Sequence, residues 1–205
     1  MEVIINAMPA YRGAMGAVSE NDHVFVKGLR EYYAATQPKK LLYPDANSTL
    51  RMNFGKVKDY TSDNHYFNYY CTAHGIVDKY VKGDFEFDVP ERLISLINNR
   101  NFGRYANKNG DLIVSFISTN DITGGNSGSP VINGKGELIG IAFDVNWEAM
   151  SGDVCYEKQK QRTICLDVHY LLFIIDKYAN AINLIDELDI RWSEPKPLRV
   201  EEEKI

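Results

Sequence analysis

Histidine is scarce in this chain: His23, His65, His74 and His169 are the four among 205 residues. No two stand at metal-ligand spacing, so neither a metal site nor a cofactor is expected. Cysteine is scarcer still, with Cys71, Cys155 and Cys165. An odd number excludes complete internal pairing. Cys155 and Cys165 are close enough in sequence to bridge a hairpin; free buried thiols are the alternative. The longest apolar stretch, Tyr170 to Ile175, is far too short to span a bilayer. A basic excess is missing too, since 23 Lys and Arg against 28 Asp and Glu give a net charge of -5. Nucleic acid therefore gains no support as a partner. The opening MEVIINAMPAYRGAMGAVSEN lacks a charged segment followed by a clean apolar core, so no signal peptide is expected.

What is present suits a soluble protein with a buried core: 44% hydrophobic, 25% charged and 12% aromatic residues, 13 of them Tyr. Residues 1 to 30 mix small and apolar residues at helical spacing, and 25–37 reads as helix stopped by Pro38. Pro44 to Asn47 is a turn cluster. STLRMNFGKVKDY (48–60) alternates, with Leu50, Met52 and Phe54 on one face, which predicts a strand. Tyr66 to Val77 is ambiguous. Pro90 suits the first turn of a helix over ERLISLINN. LIVSFIS (112–118), SPVIN (129–133), ELIGIAFDV (137–145) and RTICLDV (162–168) read as strands. Gly134-Lys135-Gly136 makes a hairpin of the middle two. Asp167 then caps a helix through HYLLFIIDKYANAINLIDEL, with Leu171, Leu172, Ile175, Tyr178, Ala179, Ile182 and Ile185 on its buried face. The order is mostly antiparallel β with a C-terminal helix and a charged, proline-broken tail.

The stretch TGGNSGSPVINGKGELIGIAFD (123–144) carries the chemistry. Acyl transfer by serine needs an exposed hydroxyl, a base, and donors for the oxyanion. Glycines around Ser127 permit a tight turn whose amides converge, so the N–H groups of Gly125 and Ser127 are the candidate donors. Gly128 leaves room for a substrate. Gly124-Gly125 is not a phosphate loop, because a hairpin and not a helix N-terminus follows.

This loop resembles the nucleophile loop of chymotrypsin-like serine peptidases. PDANSTLRMNFGKVKDY, NFGRYA (101–106), SFISTNDITGGNSGSPVINGKGELIGIAFD, NWEAMSGD (146–153) and DVHYLLFIIDKYANAINLIDEL together resemble the family-46 serine peptidases, the bacterial dipeptidyl-peptidases 7 and 11. The likeness runs from about residue 25 to 190. It implies release of dipeptides from the free N-terminus of a peptide, in the periplasm or at the cell surface. It also implies a double β-barrel of the chymotrypsin type with a helical domain inserted before the second barrel. On that reading residues 1–30 are a remnant of the helical domain or a linker. Residues 31–190 are the six-stranded-type C-terminal barrel plus a final helix, and 191–205 a tail.

By the same resemblance Ser127 is the nucleophile and Gly125 belongs to the oxyanion hole. Asp144 helps hold the substrate's α-ammonium, and Phe143 and Val145 complete the substrate-binding strand. Members with Arg at the position of Val145 prefer acidic residues and those with Gly prefer hydrophobic ones. Valine removes any cation, so a preference for apolar, smaller side chains is expected. The family's catalytic His and Asp lie in the N-terminal barrel. Cys71-Thr72-Ala73-His74 imitates the histidine string of trypsin-like enzymes but falls in the C-terminal barrel, so His74 is not expected to be the base. Without a base Ser127 is an ordinary alcohol, and the chain alone is expected to be nearly inactive. A separately encoded N-terminal barrel, or a second copy, is the expected partner besides the peptide. The competing reading is a peptide-binding module that kept the barrel and lost catalysis.

Overall fold

The computed structural model describes residues 2–39, 49–150, 152 and 156–192. The chain divides into two compact units, residues 1–45 and 46–205. The first is a single helix, α1 (Glu2–Thr36), of 35 residues. The helical spacing read at residues 1–30 and at 25–37 thus belongs to one element. The turn cluster at 44–47, Cys155 and the tail beyond Trp192 lie outside the described residues. No helix among the described residues is long and apolar enough to cross a membrane.

Two antiparallel sheets frame the second unit, as the mainly β reading expects. The smaller pairs β1 (Tyr60–Ser62) with β2 (His65–Phe67). Its turn places Asp63 and Asn64 at positive φ, a conformation short polar side chains tolerate. The larger sheet contains β3 (Tyr70–Thr72), β4 (Ile113–Ser118), β5 (Pro130–Ile132), β6 (Leu138–Val145) and β7 (Thr163–Asp167), in the spatial order β3-β4-β7-β6-β5. β5 and β6 form the expected hairpin, where Asn133 Oδ1 accepts the N–H groups of Lys135 and Glu137.

Four short helices accompany the sheet, α2 (His74–Asp78), α3 (Glu91–Asn98), α4 (Val168–Phe173) and α5 (Ile182–Glu187), with α4 packed against β4, β6 and β7 and α2 beside β3. Their apolar faces meet in the main core, around Leu93, Ile97, Phe102, Tyr105, Leu112 and Phe173. A smaller core of Phe116, Ala142 and Cys165 lies across β4, β6 and β7. Cys165 is a free thiol, and burial pushes it up to about 11.

Two expectations are corrected. First, of the strand expected at 48–60, the described residues 49–59 form no strand of their own. Leu50, Met52 and Phe54 are 103%, 86% and 88% exposed, so alternation without a covering layer gave no sheet. Only Lys56 to Lys58 runs beside the end of β4, through a bridge of Val57 to Ser118. Gly55 permits that approach, because a Cβ there would stand 2.6 Å from the Asn120 nitrogen. Pro90 opens the expected helix, standing as the N-cap of α3 before Glu91. Second, the C-terminal helix is not continuous. α4 passes into a π-helical turn at Ile174–Tyr178, and Asn180 at φ 54° separates it from α5. The buried face therefore changes: Phe173 is fully buried, while Ala179 and Ile182 are exposed.

Candidate active site

Ser127 lies in the loop that joins β4 to β5. Asn126 ties the loop to itself, its backbone N–H and its Nδ2 both donating to the Thr123 carbonyl at 3.2 and 2.7 Å. Gly125 and Gly128 adopt φ of 96° and 86°, where a side chain is strained. The loop's exit is pinned to β6: Gly128 N–H donates to Ala142 C=O at 2.8 Å, and Ala142 N–H to Ser129 C=O at 3.0 Å. Between these anchors the Ser127 side chain is exposed. Its Oγ donates to the carbonyl of Phe143 at 3.4 Å. Among the described residues the N–H groups of Gly125 and Ser127 carry no hydrogen bond, so both remain available as donors.

Phe143 reaches Ser127 because β6 is irregular there. Ala142 pairs with Cys165 and Asp144 with Ile164, so Phe143 is an extra residue opposite a regular β7. Ala142 and Phe143 both turn their carbonyls to the Ser127 side. Beyond the bulge Asp144 is exposed, and its Oδ1 accepts the N–H of Val145 at 2.8 Å. Phe143 is half exposed and Trp147 almost fully exposed beside the strand end.

Asn146 and Arg162, which sequence reasoning did not single out, hold this strand end. Asn146 N–H donates to Arg162 C=O at 2.9 Å, and Arg162 N–H to Asn146 Oδ1 at 2.7 Å. The buried Arg162 guanidinium spends all five N–H donors on the carbonyls of Lys58, Asp59, Lys158, Gln159 and Gln161. It also stacks over Tyr60, 5.4 Å from the ring centroid. Burial holds the Tyr60 phenol above its ordinary value, and its OH donates to Glu148. A buried cation is tolerable only when its donors are satisfied, and here backbone carbonyls do so. An arginine among KQKQR looks solvated in sequence, which is why its role was hidden.

Asn120, Asp121, Ile122, Val145, Tyr156 and Arg162 are among the residues lining a cavity of about 20 Å³ behind Val145. That is room for about one water. Tyr156 donates to Thr119 C=O at 3.0 Å, and burial, then the Asp121 charge, raises its pKa.

The histidines stand apart from this site in the hydrogen-bond pattern. His74 opens α2 after β3, the edge strand across the sheet from β5. His65 Nδ1 lies 2.9 Å from Asp63 C=O. His169 pairs with Asp167 Oδ1 at 2.8 Å, a hydrogen bond that raises its pKa. Asp167 also accepts His169 N–H at 2.8 Å, the expected N-cap of α4. His23 lies on α1, in the other unit.

The family model Peptidase S46 matches residues 5–190. Dipeptidyl-peptidase 7 of Capnocytophaga gingivalis is 49% identical over 170 residues, 81% of this chain and 23% of that protein. The Asp/Glu-specific dipeptidyl-peptidase of Flavobacterium psychrophilum is 42% identical over 186 residues, 90% of this chain and 25% of that one. The crystal structure of Porphyromonas endodontalis DPP11 in complex with the dipeptide Arg-Glu superposes with a TM-score of 0.73 at 43% identity, covering 78% of this chain and 23% of that one. The chain spans about a quarter of the length of the curated relatives it matches. With a match through almost all its residues, an exposed serine in a glycine loop and the fold of a solved relative, this chain belongs to the peptidase S46 family.

Proposed function

We propose that this chain is the nucleophile-bearing part of a serine dipeptidyl-peptidase. Ser127 Oγ attacks the carbonyl of a substrate's second residue, and the N–H groups of Gly125 and Ser127 receive the oxyanion. Asp144 pairs with the substrate's α-ammonium, and Phe143 and Val145 line the binding strand. The observation that carries this reading is the loop itself. An exposed Ser127 has two unspent amides beside it and the end of β6 across from it. A chymotrypsin-type barrel is the fold this reading implies, and residues 1–30 and 191–205 are its flanking segments. The periplasm or cell surface is the proposed location.

No imidazole is bonded to Ser127 among the described residues. The base is proposed to come from a part of the family's length that this chain does not span. The partner is an N-terminal barrel, or else a second copy. The side-chain preference is proposed to be apolar and small. Val145 offers no charge, Arg162 has every donor engaged, and the cavity behind Val145 is small. Some relatives are named Asp/Glu-specific and others simply dipeptidyl-peptidase 7, so this preference rests on Val145.

A fluorophosphonate probe tests the reading. Ser127 should label slowly in the isolated chain and faster by on the order of a thousandfold when the histidine-bearing part is added. Rapid labelling of the isolated chain would overturn the missing base. Absence of labelling in the mixture would favour the peptide-binding module without catalysis.

A further inference from the structure

The outer edge of β6 has an end built to stop a peptide. Asn146 N–H bonds toward β7, so Val145, one residue earlier, turns its N–H and C=O away from β7. The bulge gives Phe143 the same outward direction, and its carbonyl meets Ser127 Oγ. β5 does not cover this edge, since its pairing with β6 begins at Pro130 opposite Ile141 and runs back toward Leu138. Phe143 C=O, Val145 N–H and Val145 C=O are therefore the groups an antiparallel substrate strand would meet.

Antiparallel pairing fixes what each group would contact. With the reacting carbonyl at Ser127, the N–H of the residue bearing it falls on Phe143 C=O. Two residues toward the substrate's N-terminus, a carbonyl would fall on Val145 N–H. That amide is already taken, because Asp144 Oδ1 accepts it at 2.8 Å.

Resting on the peptidase reading of Ser127, we infer that Asp144 closes this edge to a third residue. Its carboxylate sits where the third residue's carbonyl oxygen would sit. An extended peptide therefore brings one acceptor against another and leaves its own carbonyl without a donor, a costly desolvation. A peptide that begins at the second residue instead brings an ammonium to the same carboxylate, a charge-assisted contact. One side chain thus sets both the sign and the length of the occupant: a free-amine dipeptidyl segment. The carboxylate is held in place by the neighbouring amide before any substrate arrives, which makes Asp144 a length-determining residue as well as an ammonium ligand.

The test uses the 205-residue chain with the variants Asp144→Ala and Asp144→Asn. Asparagine keeps an oxygen for Val145 N–H and loses the charge; alanine loses both. Amide exchange at Val145, read by NMR against Asn146 as internal standard, should quicken about tenfold in Asp144→Ala and stay unchanged in Asp144→Asn. The dipeptide Val-Leu should bind the parent chain and bind both variants more weakly. Acetyl-Ala-Val-Leu should bind Asp144→Ala roughly tenfold more tightly than it binds the parent or Asp144→Asn. Unchanged Val145 exchange in Asp144→Ala, or an acetylated tripeptide that gains nothing there while Val-Leu binds the parent, overturns the inference. If Val-Leu fails to bind the parent chain, the peptidase reading of the edge falls first, and the inference with it.

Discussion

At the scale of single residues the site divides into what local pattern reveals and what distance conceals. Ser127 and its glycines were legible because a tight turn is dictated by neighbours in sequence, and positive φ at Gly125 and Gly128 confirms the need for glycine. Arg162 was not legible. Its five acceptors lie at 58–59 and 158–161, and no local pattern announces that two remote segments will converge on one guanidinium. Val145 carries the prediction at this scale. Val145→Arg, in the chain assembled with the proposed histidine-bearing part, should raise the kcat/KM ratio for Asp or Glu over Leu at least about tenfold. A panel of dipeptidyl substrates measures it, and a parent enzyme that already prefers acidic residues would remove the premise.

At the scale of elements, the strands of the large sheet were readable as short apolar runs between turns, and their antiparallel pairing followed from the hairpin signals. The two misreadings have one cause, the absence of tertiary information. Leu50, Met52 and Phe54 satisfy strand alternation, yet no element among the described residues covers them. The residues after α4 satisfy helical spacing, yet Asn180 adopts a left-handed conformation and ends the run.

Three element-scale outcomes follow. Asp167→Ala removes the N-cap of α4 and should cost about 1 kcal/mol. His169 is held above its ordinary pKa of 6.5 by Asp167. Its contribution is therefore fully present below the unfolded value and is lost as pH rises through the folded one. Urea unfolding of His169→Gln against the parent should show the larger gap at about pH 5.5 and a smaller one at about pH 9. A gap that grows with pH would contradict the pairing. Arg162→Met should destabilise by roughly 3 kcal/mol or more, since it strands several buried carbonyls. Arg162→Lys should recover only part of that loss, because ammonium has fewer donors and no fork.

At the scale of the whole molecule, Leu50, Met52, Phe54, Phe85 and Trp147 leave apolar side chains largely exposed, surface that a partner barrel could cover. Size-exclusion chromatography should place the chain above its monomer position, or move it there on mixing with an N-terminal barrel of the family. A stable monomer indifferent to that addition would count against the proposed partner.

The bulge in β6 has a consequence for insertions and deletions. Ala142 and Asp144 face consecutive residues of β7, Cys165 and Ile164. Remove Phe143, and the ladder closes without a slip: every other pair keeps its partner and every other side chain its face. What disappears is the carbonyl that accepts from Ser127 Oγ. By the sheet's own count Phe143 is supernumerary. A one-codon deletion there would leave the architecture intact and take away the backbone group proposed to meet the substrate.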